Sequence, residues 1–234
     1  MKSYSNLFLA SFLTLLACLG FGRFAFGMIV PNLQENLQIS TTAIGFISSS
    51  NFIGYFLGII VASRVYARFS TNKLIFFLLL IQGLSMLIMT LFDNYIFISI
   101  LYLLSGFLAA VANISIMVYI SHVVPKEIRG KALGIAVSGN GFAIIISGFL
   151  VPYLEQFYDS SSWRVSWLIF SLAIIFISFF IKRLLSYDVD NSIKSELKFY
   201  HYINNKKFWE IGILYFLFGI TYVIYVTFFV SASV

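Results

Sequence analysis

Long apolar runs separated by short polar stretches dominate the chain, and their lengths are those of bilayer crossings. A helix needs about 20 residues to cross a hydrocarbon core of roughly 30 Å. Runs at 7–30, 41–62, 74–91, 95–124, 132–154, 165–181 and 208–234 meet or approach that length. The pattern therefore predicts an all-α integral membrane protein with seven spans. Residues 32–40 read as a polar loop carrying Glu35, and the only long polar stretch, 182–207, reads as a linker. This gives a six-span portion at 1–181, the linker, and one further span at 208–234.

Composition agrees. Of 234 residues, 60% are hydrophobic and 10% charged, against about 25% charged in an average soluble domain. The formal net charge of +6 does not indicate nucleic acid, because the basic residues lie in short segments between apolar runs, where anionic headgroups meet them. Thirteen of the fifteen Lys and Arg residues fall at the amino terminus or in the segments after spans two, four and six. Positive residues stay on the cytoplasmic side, so the amino terminus is expected inside, in the cell (inner) membrane. Cys18 is the only cysteine, and His122 and His201 are far apart in the chain. No disulfide, metal centre or cofactor is indicated. The Leu15–Cys18 stretch resembles a lipoprotein signal, but the apolar run continues past it and more spans follow.

Arg23 is the chief candidate for chemistry, because it stands inside the first span. A guanidinium there costs on the order of 2.5–3.5 kcal/mol by insertion scales, and its fork suits a carboxylate or phosphate. Regular helical rotation places Gly20, Arg23 and Gly27 on one face. About 10 Å would separate Arg23 from the outer end of the span by helical rise, within reach of the alternative in which it snorkels. Asn51, Asn113 and Asn140 are further candidates for solute contact, against the commoner fate of tying helices together. Tyr222 is a cavity-lining candidate in span seven. Gly54 and Gly58 form a small-xxx-small pair, and Gly139 and Gly141 in span five are read with Gly20 and Gly27 as packing or gating positions. Arg64, Arg68 and Lys73 are expected in a basic cytoplasmic loop. The matched strings Gly45-x-x-x-Ser49-x-Asn51 and Gly134-x-x-x-Ser138-x-Asn140 suggest inverted three-helix repeats. No acidic residue lies deep in spans one to six.

Several motifs carry a resemblance. Gly22-Arg23-Phe24-Ala25-Phe26 with Pro31, Gly54-Tyr55-Phe56-Leu57-Gly58, Arg129 through Gly134, Ser147-Gly148 through Pro152, Trp163-Arg164 and Tyr215 through Phe228 occur in order. The chain resembles the YbfB/YjiJ-type branch of the major facilitator superfamily. The resemblance implies a secondary transporter of two six-span halves, working by alternating access on a small solute with proton coupling or exchange. On that pattern this chain supplies the amino-terminal half and one span more. The absent half would be needed for transport. The superfamily's aspartate after span two is replaced by Ala62, counting from Gly58. A seven-span receptor or sensor is the alternative. An amino terminus inside, and a seventh span without a lysine for a retinal Schiff base, weigh against it. No cluster of acidic, histidine or cysteine groups marks an enzyme.

Overall fold

The computed structural model describes residues 4–185 and 206–232, the second segment without the side chains of residues 220 and 222–232. The described helices fall into two units, within Met1–Lys194 and Ser195–Val234. The first holds α1 (Ser5–Leu15), a π-helical segment (Leu16–Phe24), α2 (Phe26–Leu37), α3 (Thr41–Arg68), α4 (Thr71–Met89), α5 (Tyr95–Val123), α6 (Lys126–Tyr158), a 3₁₀ turn (Asp159–Ser161) and α7 (Ser162–Leu184). The second holds α8 (Lys206–Ala232). Most of the expected linker, residues 186–205, lies outside the described residues.

Five stretches among the described residues are long and apolar enough to cross a membrane: Ser5–Leu37, Thr41–Arg68, Thr71–Met89, Tyr95–Val123 and Lys126–Leu184. The last is divided into α6 and α7 by the 3₁₀ turn, where Asp159 takes a φ of 45°. Large apolar side chains face outward all around, among them Phe56, Phe149 and Phe176, exposed by 63%, 78% and 71%. A water-soluble surface does not carry such a contiguous apolar coat, whereas lipid tails match it.

Three expected loops are helical instead. Pro31 does not end the first span: the helix runs through it to Leu37 and stops where Gln38 turns left-handed, φ 51°. A proline removes one hydrogen bond and kinks a helix without necessarily terminating it. Arg64 and Arg68 belong to the last turns of α3, and Lys73 to the first turn of α4, so the basic loop shrinks to the Phe69–Ser70 connection. Lys126, Glu127, Arg129 and Lys131 likewise lie in the first turns of α6. Long basic side chains form helix well and reach headgroups from within one, so charge does not mark the helix boundary. The amino-terminal ends of α3 and α5 are capped, with Ser40 Oγ accepting from Ala43 N at 3.2 Å and Asn94 Oδ1 from Ile96 N at 2.8 Å.

Without a hydrophobic force between helices in lipid, close packing and polar ties hold a bundle together. The α3–α5 crossing is built this way. A Cβ on Gly54 would collide with the Leu103 carbonyl, one on Gly58 with Phe107 and Ala110, and one on Gly106 with the Asn51 carbonyl. Backbones meet there because three glycines leave room. Ser50 Oγ donates to Ser99 O at 2.9 Å and Asn51 Nδ2 to Tyr102 O at 3.0 Å across the same crossing. Gly20 and Gly139 play the same part between the first span and α6, against Ala143 and the Phe12 carbonyl. At the far end of α2, Asn32 Nδ2 donates to Ser162 Oγ at 2.8 Å, and Trp163 Nε1 to Asn36 Oδ1 at 2.9 Å.

Candidate functional site

The first span is irregular where its charge sits. Residues 16–24 wind with i→i+5 pairing, and Ala25 N closes the segment on Gly20 O at 3.0 Å. Such segments are rare and concentrate at functional sites. Arg23 is half-buried at the end of this segment, with its guanidinium carbon 4.2 Å from the Phe52 ring centroid and 4.7 Å from that of Tyr55. Phe52 and Tyr55 are three residues apart on α3, hence on one face. Two such rings attract a cation by roughly 0.5–2 kcal/mol each, more as water is excluded. Because α2 continues to Leu37, the helix runs on for roughly 21 Å beyond Arg23 by helical rise, not about 10 Å. The guanidinium lies over two aromatic rings of α3.

Polar groups from two other helices reach the same neighbourhood. Asn113 Nδ2 on α5 donates to Tyr55 Oη at 2.9 Å, joining that amide to the ring beneath Arg23. Tyr102 Oη, also on α5, donates to the Arg23 backbone carbonyl at 3.4 Å. Gln82 on α4 is fully buried, and its Nε2 donates to Cys18 O at 2.9 Å and Ser105 Oγ at 3.3 Å. The amide oxygens of Asn51, Gln82, Asn113 and Asn140 are buried without a hydrogen-bond partner among the described residues. Buried acceptors without donors are costly in a low-dielectric interior.

The expected residues separate accordingly. Arg23 and Asn113 come together through Tyr55. Asn51 is buried at the α3–α5 crossing as an interhelical tie, and Asn140 is half-buried on α6. The common face of Gly20, Arg23 and Gly27 does not form. Gly20 packs on α6 while Arg23 faces α3, because π winding adds a residue per turn and breaks the 3.6-residue register. A Cβ on Gly27 or Gly141 would meet nothing within 4 Å, so these two are not packing contacts, unlike Gly20, Gly54, Gly58 and Gly139. The side chain of Tyr222 lies outside the described residues.

Phe52, Gln82 and Tyr102 escaped the sequence reading, and Tyr55 entered it only as part of the Gly54–Gly58 motif. Gln82 carried a usable signal, since an amide within the apolar run 74–91 needs a partner wherever it sits. The aromatic residues carried none, being ordinary in an apolar span. Two surface grooves, of about 430 and 370 Å³, are lined by Ser5, Phe8, Leu9, Phe12 and Ile135, and by residues around Ile39, Phe46 and Tyr95. Neither includes Arg23.

Comparison with known proteins supplies the class to which this geometry belongs. No curated protein matches the chain. The family model described as "Uncharacterised MFS-type transporter YbfB" matches residues 15–233, taking in every described helix except α1, of which it reaches only Leu15, and agreeing with helices long and apolar enough to cross a bilayer. The chain therefore belongs to the YbfB-type family of major facilitator superfamily transporters, and is a transmembrane transport protein.

Proposed function

We propose that this transporter moves a small anionic solute, and that Arg23 receives its acid group. The observation that supports the reading is the half-buried guanidinium over Phe52 and Tyr55, with Asn113 bonded to the second ring. Ring contacts engage the positive charge, whereas a carboxylate or phosphate engages the N–H fork, so both can be held together. Asn113 Oδ1 would accept from a donor on the same solute, with Asn140 as a further candidate on α6. Asn51 and Tyr222 are retained as candidates of lower weight, the first because it already ties α3 to α5.

Alternating access would proceed by rocking this six-span portion, read as two inverted three-helix repeats, against a second wall from a further set of spans. The bias of basic residues toward one set of helix ends supports a cytoplasmic amino terminus in the inner membrane. Proton coupling fits the family pattern. Since no acid lies deep in the first six spans, the titrating carboxylate would belong to the second wall, or Glu35 would reach inward.

The test is a thermal-stability screen of the chain in nanodiscs against carboxylates and phosphate. A ligand at 100 times its Kd stabilises by about 2.7 kcal/mol. At least one anion should raise the Tm of the wild type and leave Arg23→Gln unmoved. Equal shifts in both would refute the assignment of Arg23.

A further inference from the structure

We infer that Gln82 is a positioning residue for Arg23, holding open the π-helical turn that presents the guanidinium. The inference rests on the anion reading above and adds to it the device that sets where the charge points. Three observations meet here. Gln82 is fully buried on α4, and its Nε2 donates to Cys18 O, inside the π-helical segment, at 2.9 Å. Gly22 lies directly beneath that amide, where a Cβ would collide with Gln82 Nε2. Tyr102 Oη donates to Arg23 O, so side-chain donors from α4 and α5 bracket the turn at Cys18 and Arg23.

The backbone chemistry explains why such a bracket is needed. A carbonyl accepts two hydrogen bonds, so Cys18 O can hold the amide of Gln82 together with an intrahelical N–H. Isolated chains prefer i→i+4 pairing, and π turns survive where something outside the helix favours them. Gly22 gives the amide its seat, since a side chain there would displace it. Collapse of one i→i+5 turn to i→i+4 would rotate the residues after it by roughly 100° relative to those before. That rotation would carry Arg23 away from Phe52 and Tyr55.

Cys18 is the only cysteine in the chain, so feeding carbonyl-¹³C cysteine labels one backbone carbonyl, the one that Gln82 touches. The experiment combines its solid-state NMR shift with anion affinity for the full chain in lipid, using the anion found for the wild type. Gln82→Met preserves volume and removes the donor. It should move the Cys18 carbonyl resonance upfield and weaken anion binding at least tenfold. Gln82→Glu, protonated within the span, keeps one O–H donor and should retain the resonance and come within about threefold of wild-type affinity. Gly22→Ala, which displaces the amide by another route, should reproduce the Gln82→Met result and replaces it if that variant does not fold. An unmoved resonance in these variants, or a moved one with unchanged affinity, overturns the inference. If the wild type binds no anion, the anion reading fails, and the positioning role is judged at position 23 itself. In a Cys18→Ser, Arg23→Cys chain, labelling by a water-soluble maleimide should change at least tenfold when Gln82→Met is added, and an unchanged rate overturns it.

Discussion

Replacing Gly54 with alanine adds one methyl group at the tightest point of the α3–α5 crossing. That methyl would collide with the Leu103 carbonyl oxygen and sit 2.8 Å from the carbonyl carbon and 3.1 Å from Cα. Ordinary van der Waals contact begins near 3.4 Å, and the obstacle is backbone, which has no rotamer to move. The helices must therefore part by several tenths of an ångström at least. A gap of 0.5–1 Å forfeits a quarter to a half of each contact along the seam, and the Ser50 and Asn51 ties to Ser99 and Tyr102 stretch with it. Overpacking of this kind costs typically 1–3 kcal/mol. Gly45 lies on the same helix with open space where its Cβ would be, so Gly45→Ala should change stability little or raise it slightly by helix propensity. Unfolding in mixed micelles, followed by the fluorescence of the fully buried Trp163 and Trp167, reads the difference. Gly54→Ala should be destabilised by about 1–3 kcal/mol relative to Gly45→Ala. Equal stability of the two would refute the close crossing. Because Phe52 and Tyr55 ride on α3, Gly54→Ala should also weaken any anion held at Arg23.

Other expectations are smaller but distinct. Arg164 donates to Thr90 O at 2.6 Å, stacks 4.3 Å from the Trp163 ring and pairs with Asp93, whose side chain is 79% exposed. Arg164→Gln should therefore cost on the order of 1 kcal/mol in the same unfolding assay, whereas Asp93→Asn should cost close to nothing, as exposed pairs do. Asn51→Leu removes one interhelical bond and an unpartnered oxygen together, so a net change under about 1 kcal/mol is expected, near the 0.6 average for such bonds; a larger loss would assign Asn51 more than a tie. Asn113→Leu should leave stability similarly intact but reduce anion binding, and an unaltered binding isotherm would remove Asn113 from the site.

Apolar run length announced the described helices, because in a bilayer the solvent itself dictates where a helix must be. Gly54 and Gly58 were legible as a close-approach pair from local spacing, whereas Asn51, put forward for solute contact, ties α3 to α5 through a partner 51 positions away. Helix ends were less legible: Pro31, Arg64 and Arg68 look like breaks in an apolar pattern, yet the backbone passes through each of them. The face expected for Gly20, Arg23 and Gly27 failed for a deeper reason. It assumed 3.6 residues per turn, and the π-helical winding at 16–24 depends on Gln82, which stands 64 positions from Cys18. No window on the sequence contains both. Arg23 was visible as a charge in apolar surroundings, but the rings beneath it were not, because phenylalanine and tyrosine are unremarked in such a span.

The central claim, that Arg23 holds the charge of an anionic solute, is tested most directly by charge discrimination. Equilibrium binding to the reconstituted chain would be measured for a panel of labelled small acids beside their neutral amides or esters. The account predicts that at least one acid is retained while its neutral analogue is not, and that Arg23→Gln abolishes this preference. Retention of acid and neutral analogue alike, or a preference that survives Arg23→Gln, would contradict it.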